Sequence, residues 1–315
     1  MRVLLATDGS ESSDRARDLI AGLSWPQGTI VRAVIAVETH LEMLGAPFAM
    51  ASGASVDELD QELFRHAELT LDAVEQRLTP LGLKVERVIA HDRAANAIVE
   101  EAHDWKASLV VLGSRGHSPL TTAVLGSTSA EVVDHAPCPV LVAREGTIGE
   151  IGLAYDGSAG STLAAGVLTE WPIFRALPVT VVTVTGSGML WHSSVAGSLF
   201  DPASVVTAHD VDVALQGAAD LAESVAVRLR QDGLRAVSEV REGDAAAELV
   251  NFSHGKRHPL LIMGSRGHTG IARLLLGGVA RNVLNHAAAS VLIVREGTHV
   301  DRELPVEERA PVAVG

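Results

Sequence analysis

Apolar residues along this chain fall into two alternating kinds of segment. Short runs without polar interruption, such as Val3-Leu4-Leu5-Ala6 and Leu109 to Leu112, read as strands buried on both faces. Longer stretches place apolar residues at three- and four-residue steps. Leu59, Leu63, Phe64, Ala67, Leu71, Val74 and Leu78 form one helical face, and Leu215, Ala218, Leu221, Ala222, Val225 and Leu229 form another. In the first half the pattern predicts strands over about 2–7, 29–37, 84–90, 108–112 and 139–143. Helices over about 11–23, 57–79, 92–106 and 126–135 fill the gaps. Such alternation implies a doubly wound parallel sheet with helices on both faces.

The pattern is written twice. Gly113-Ser114-Arg115-Gly116 recurs as Gly264-Ser265-Arg266-Gly267, an offset of 151 residues (264 − 113). Leu5-Ala6-Thr7-Asp8-Gly9-Ser10 matches Leu153-Ala154-Tyr155-Asp156-Gly157-Ser158, and Leu141-Val142-Ala143-Arg144-Glu145-Gly146-Thr147 matches Leu292-Ile293-Val294-Arg295-Glu296-Gly297-Thr298. The expected organisation is therefore two tandem five-stranded domains, 1–146 and 149–298, with a mobile tail over 299–315. Two long segments, about 38–56 and 186–209, follow the second strand of each half. They read as surface insertions or as flaps over a ligand.

Bulk properties narrow the class. A length of 315 residues suits about two domains, and 47% hydrophobic residues suffice for real cores. A formal net charge of −14 argues against broad binding to nucleic acid or to an anionic membrane. No apolar stretch near the N-terminus is long enough for a signal peptide or a span, so a cytoplasmic protein is expected. Cys138 is the single cysteine, which excludes an intrachain disulfide and leaves a small buried hydrophobe or a reactive thiol.

Ligands of open α/β sheets bind beyond the carboxyl ends of the strands, where the strand order reverses. Asp8 and Asp156 end the first strand of each half, Val37 and Val184 the second, Leu112 and Met263 the fourth. The repeated glycine loop follows the fourth strand, and nine residues after Gly116 and Gly267 come Gly126 and Gly277, each opening a helix. Backbone glycines and free helix amides suit an anion, so the loop reads as a phosphate site present twice. Replacing Gly113 or Gly116 by alanine is expected to weaken binding by crowding the phosphate. Arg115 and Arg266, with His117 and His268, either neutralise phosphate charge or point to solvent; the sequence leaves both open. Taken singly, Asp8-Gly9-Ser10 is also only a turn and a helix cap, and Ser127 only a cap. No G-x4-G-K-[ST] loop, G-x-G-x-x-G fingerprint, H-E-x-x-H helix or G-x-S-x-G elbow is present. The histidines are scattered, and no metal site is expected.

The G-x2-G-x9-G-[ST] pattern, the Asp-Gly-Ser after strand one and the ending His135-Ala136-Pro137-Cys138-Pro139-Val140-Leu141-Val142 together resemble a tandem universal stress protein of the ATP-binding branch. The resemblance implies a Rossmann-like, adenine nucleotide alpha hydrolase-like fold in two pseudo-twofold copies. It implies ATP as ligand, with magnesium accompanying the polyphosphate. Asp8 would lie at the ribose, Val37 and Leu112 at the adenine, and Gly113, Gly116, Gly126, Ser127 and Thr128 at ribose and phosphates. The second site would use Asp156, Val184, Met263, Gly264, Gly267, Gly277, Gly278 and Val279. There the sequence departs, since Gly278 stands where serine or threonine is expected. A lost neutral hydrogen bond costs on the order of 1 kcal/mol, so a weaker second site is expected.

The function expected is that of a nucleotide-dependent stress sensor or regulator with unidentified protein partners, not an enzyme. A slow ATP hydrolase using Asp8 or His117 to position water is the alternative, although no general base is firmly placed. A nucleotide-independent scaffold is a further one. In it the fifth strands, 139–143 and 290–294, pair or pack across a pseudo-twofold interface. One chain would then imitate a dimer internally, with further pairing of chains as a homodimer.

Overall fold

The structure, a computed structural model of the chain, describes residues 1–37, 56–116, 125–186, 208–267 and 276–295, with side chains from 60 and from 211 in the second and fourth of these segments. The segments expected to be flaps lie almost wholly outside these residues, as do His117, His268 and the tail over 299–315. The first half runs β1 (Arg2–Ala6), α1 (Glu11–Gly22), β2 (Ile30–Ala36), α2 (Val56–Leu78), β3 (Lys84–Ala90), α3 (Ala94–Asp104), β4 (Leu109–Gly113), α4 (Ser127–His135) and β5 (Val140–Ala143). The second runs β6 (Glu150–Ala154), α5 (Ala159–Glu170), β7 (Pro178–Thr185), α6 (Ala208–Gln231), β8 (Arg235–Glu242), α7 (Ala245–Ser253), β9 (Pro259–Gly264), α8 (Gly278–His286) and β10 (Ser290–Val294).

Strand alternation divides the apolar residues between two faces. Val3 and Leu5 pack with Ala16, Leu19 and Leu71 of α1 and α2, whereas Leu4 and Ala6 pack with Ile98 and Val132 of α3 and α4. The second half repeats this, with α5 and α6 on the first face and α7 and α8 on the second. Within each half all strands are parallel. Their order is β3-β2-β1-β4-β5 in one half and β8-β7-β6-β9-β10 in the other. Strand order therefore reverses between β1 and β4, and between β6 and β9.

The two five-stranded sheets do not stop at their fifth strands. β5 and β10 pair antiparallel, with Val142 opposite Val291, Leu141 opposite Leu292 and Val140 opposite Ile293, so the chain carries one ten-stranded sheet. Both strands are buried along their whole length, and an unpaired edge of that kind would be a liability. Arginines cross this seam in a reciprocal way. Arg144, just past β5, donates to the Leu284 carbonyl in the last turn of α8. Arg295, just past β10, donates to the Val133 carbonyl (3.0 Å) and to that of Asp134 in the last turn of α4. Each half thus supplies cations to the carbonyl end of the other half's final helix. Arg281 adds a forked contact to both Asp134 oxygens at 3.1 Å.

Cys138 is buried among the residues between α4 and β5. Burial pushes its thiol up to about 12, against a hydrogen bond with the Val110 backbone that acts the other way. The thiolate fraction at pH 8 is then on the order of one in ten thousand. Folded protein is expected to resist alkylation by iodoacetamide at pH 8, while protein unfolded in urea reacts quantitatively. Because the folded value is the higher one, the thiol's contribution to stability is full below about pH 8.5. That contribution is lost as pH climbs towards about 12. A Cys138→Ala variant should show a flatter loss of stability in alkali; an unchanged slope, or ready labelling of native protein, would count against a buried thiol.

Candidate functional site

The reversal of strand order between β1 and β4 opens a cleft at the carboxyl edge of the first half. Ala6, Val34, Ala36 and Leu112 from the sheet, with Ala94 and Ile98 from α3, make an apolar slot. Thr7, Asp8, Ser13, Gly113, Arg115, Gly116, Thr128 and Ser129 make its polar end. The cleft holds about 110 Å³, room for a single ring or sugar, so a whole nucleotide would extend past it.

Local chemistry fixes each polar group. Gly9 sits at φ +76°, the left-handed turn that glycine adopts without strain. Ser10 then caps α1 by accepting from the Ser13 amide at 3.3 Å. Asp8 Oδ1 accepts from the Ser10 amide at 3.0 Å, so Asp-Gly-Ser is indeed a turn and a cap. It is also more than that. Asp8 Oδ2 lies 2.7 Å from where a Cβ on Gly116 would be, which sets the carboxylate against the glycine loop. Asp156 repeats the arrangement, with Oδ1 accepting from the Ser158 amide at 3.0 Å and Oδ2 2.7 Å from the equivalent point on Gly267.

The two loop glycines have different reasons to be glycine. A Cβ on Gly113 would fall 2.7 Å from the Ser12 carbonyl carbon and oxygen, so its role is to let α1 pack against β4. Gly264 meets Gly160 backbone at 2.5 Å in the same way. Only Gly116 and Gly267 look across at the aspartate. Gly126 and Gly277 are the N-caps of α4 and α8, and neither offers a side-chain cap. The first intrahelical bond of α4 is Ala130 N–H to the Gly126 carbonyl at 2.9 Å. The amides of Ser127, Thr128 and Ser129 make no hydrogen bond among the described residues and stand open at the positive end of the helix. Gly126's own amide is spent on the Ser114 carbonyl at 2.9 Å.

Of the residues expected in the first site, Asp8, Leu112, Gly113, Arg115, Gly116 and Thr128 line one cleft. Gly126 and Ser127 adjoin it as the cap and first residue of α4. Arg115 is half-buried and lines the cleft. Val37 is not in the lining. It is buried on the α1/α2 face, with its amide donating to the Ala90 carbonyl at 2.8 Å. Val34 and Ala36, one pleat away, face the cleft instead.

Register also corrects the match between halves. Ala6 pairs with Val34 and Ala154 with Val182, so Val184 corresponds to Ala36 and not to Val37. Val184 accordingly packs on the α7/α8 face. Met263, Gly264 and Gly267 end and follow β9, and Arg266 is half-buried there. Gly277, Gly278 and Val279 open α8. By equivalence the second half carries Val184 for Ala36, Val279 for Thr128 and Ala280 for Ser129, so these positions lose two hydroxyls. Periodicity gave no sign of Ser13, Ala94, Ile98 or Ser129, which reach the cleft from helices. Ser129 was the most accessible of them, one step beyond Thr128 in the helix start.

Fold and cleft define a class: doubly wound α/β domains, here in two copies, with a cleft at the switch point of the first. The family model described as "Universal stress protein family" matches residues 1–144 and 148–295, and the chain belongs to that family. A universal stress protein of Thermus aquaticus is 32% identical over 142 residues, covering 45% of this chain and 97% of its own length. A crystal structure of a universal stress protein from Archaeoglobus fulgidus covers 94% of this chain and 98% of its own, with TM-score 0.63 and 17% identity, which speaks for the fold of both halves together. A universal stress protein solved in complex with cAMP covers 45% of this chain and 95% of its own, at 26% identity and TM-score 0.34. Among the described residues no helix is long and apolar enough to cross a membrane.

Proposed function

We propose that the first half binds ATP and that the chain acts as a nucleotide-dependent regulator in a stress response, working by occupancy rather than turnover. The observation that carries this is the convergence, in one cleft at the switch point, of an apolar slot, Asp8, Arg115 and the uncapped amides of α4. The slot suits a base or sugar ring, the carboxylate suits ribose hydroxyls, and the amides with Arg115 suit phosphate. Magnesium would arrive with the polyphosphate. Among the described residues Asp8 is the one carboxylate lining the cleft, compatible with a phosphate-bound ion but too little by itself for a protein-built cage. A cytoplasmic setting, a protein partner that reads occupancy and further pairing of chains belong to the same proposal.

Calorimetric titration with ATP and magnesium, followed by ADP and cAMP, tests it. Binding with a raised melting temperature is expected, and Asp8→Asn should weaken it roughly tenfold or more, the worth of a charged hydrogen bond. The absence of both heat and thermal shift would sink the ATP reading and leave the scaffold, for which the β5–β10 pairing is the supporting observation. Steady phosphate release that Asp8→Asn abolishes while binding persists would favour a slow hydrolase instead.

A further inference from the structure

Strand pairing places Arg144 next to the first cleft. Ala143, just before it, lies opposite Gly113, and the Ala143 carbonyl accepts from the Ser114 amide at 3.1 Å. The arginine therefore stands beside Ser114 and Arg115. It is only 9% exposed, and its buried Nε has no hydrogen-bond partner among the described residues. Its guanidinium donates to the Leu284 carbonyl in α8. Among the described residues no carboxylate neutralises it, and the charge that acts on it is another cation, Arg115. Burial first, and Arg115 second, bring the guanidinium down to about 10, so it stays charged at neutral pH. The second half meets the same problem differently. Burial lowers Arg295 too, but the Asp134 carboxylate acts the other way. At the position equivalent to Asp134 (134 + 151 = 285) α8 carries Asn285, which has no charge to offer Arg144.

We propose that Arg144 is a further cation of the first cleft, acting on the ligand's phosphates by its field and not by contact, and that it makes affinity there rise with the number of phosphates. The proposal deepens the nucleotide reading and rests on it. A buried cation without a counter-ion is costly, and a like charge beside it adds to the cost. An anion arriving at Arg115 and at the open amides of α4 supplies the missing charge. Holding the Leu284 carbonyl explains why a cation is useful at the seam. It does not explain why that cation stands against another arginine with no acid beside it. A chain with net charge −14 repels polyphosphate in general, so a local cluster of cations decides where such a ligand lands. For one buried cation, the four charges of ATP are worth roughly five- to tenfold in affinity and the two of AMP about two- to threefold.

Full-length protein titrated with metal-free AMP, ADP and ATP tests the assignment. Arg144→Met should weaken binding by a factor that grows from about two- to threefold for AMP to about five- to tenfold for ATP. Arg144→Lys keeps the charge and should restore most of that gradient. Asn285→Asp leaves Arg144 in place and gives it the kind of neighbour that Arg295 has, so it too should weaken ATP more than AMP. A purely structural role predicts another pattern, in which a loosened seam weakens all three ligands by one factor. Arg295→Met, the matching loss at the seam, should show that flat pattern at the first site. Equal losses for AMP and ATP in Arg144→Met, or Asn285→Asp binding like wild type, would overturn the role of Arg144 and leave the ATP reading standing. Binding that needs magnesium for every ligand would also overturn it, since the ion would then supply the charge. If Arg144→Met fails to fold, Asn285→Asp still decides. Wild-type protein that binds none of the three, with or without magnesium, would overturn the ATP reading. Tripolyphosphate then tests the arginine alone, and its failure to bind, or binding indifferent to Arg144→Met, would overturn that as well.

Discussion

Gly113→Ala should destabilise the first half by about 1–3 kcal/mol, towards the upper end, with any loss of ligand affinity following from that. The added methyl would stand 2.7 Å from the carbonyl carbon and oxygen of Ser12, backbone atoms in the first turn of α1. No rotamer change relieves such a contact. β4 is paired on both sides, with β1 and β5, so neither strand nor helix can retreat without disturbing a buried layer. Gly116→Ala is the contrasting case. Its methyl meets Asp8 Oδ2 at 2.7 Å, the end of a side chain that can rotate. Stability should stay within about 0.5 kcal/mol of wild type, while affinity falls because Asp8 is displaced. Urea midpoints and titration on both variants separate the two effects. Wild-type stability in Gly113→Ala would refute the packing account, and undisturbed binding in Gly116→Ala would refute the facing of Asp8 and the loop. The glycine pattern alone predicts that both act by crowding phosphate; for Gly113 the neighbour is a helix.

The second large effect concerns the seam. Leu141 and Leu292 face each other across β5 and β10 and are almost wholly withdrawn from water. Leu141→Asp removes the transfer free energy of a buried leucine, about 2 kcal/mol, and places a carboxylate in an apolar cluster. A total above about 4 kcal/mol is expected, the range reserved for buried unpaired charge. Wild-type protein should unfold in one transition, because the sheet and both core layers run through the seam. The variant should unfold in two, or fail to fold, and should be cut by protease in the 145–149 connection. There Glu145 is held by His258, and Gly149 N–H donates to the His258 carbonyl at 2.8 Å. A variant with wild-type stability and protease resistance would show that β5 and β10 do not pair in solution.

Much of this molecule was legible in the order of its residues. The period of α2 is visible because Ala67, Leu71, Val74 and Leu78 must all face one core, and they do. The all-apolar runs of β4, β5, β9 and β10 are visible because those strands are buried on both faces. The edge strands β3 and β8 carry charge and are partly exposed, as an unpaired edge demands. The repeat itself announced two similar halves, and the missing hydroxyl at Gly278 announced that they differ.

What stayed hidden depends on contacts between residues far apart in the chain. Val37 and Val184 look equivalent in sequence because each lies at the end of a second strand. A one-residue shift of register sends their side chains to opposite faces, and only pairing with β1 and β6 fixes that register. Gly113 and Gly116 are the same residue three apart, and only the position of α1 decides that one admits a helix and the other faces a carboxylate. The fifth strands offered two arrangements, pairing or packing; the antiparallel ladder between β5 and β10 chooses the first. Sequence determined the elements, their repetition and the residue types at the cleft, because burial and turn chemistry are local demands. The tertiary structure alone decided which side of each strand meets the cleft and how the halves join, because direction and distance arise only when elements meet.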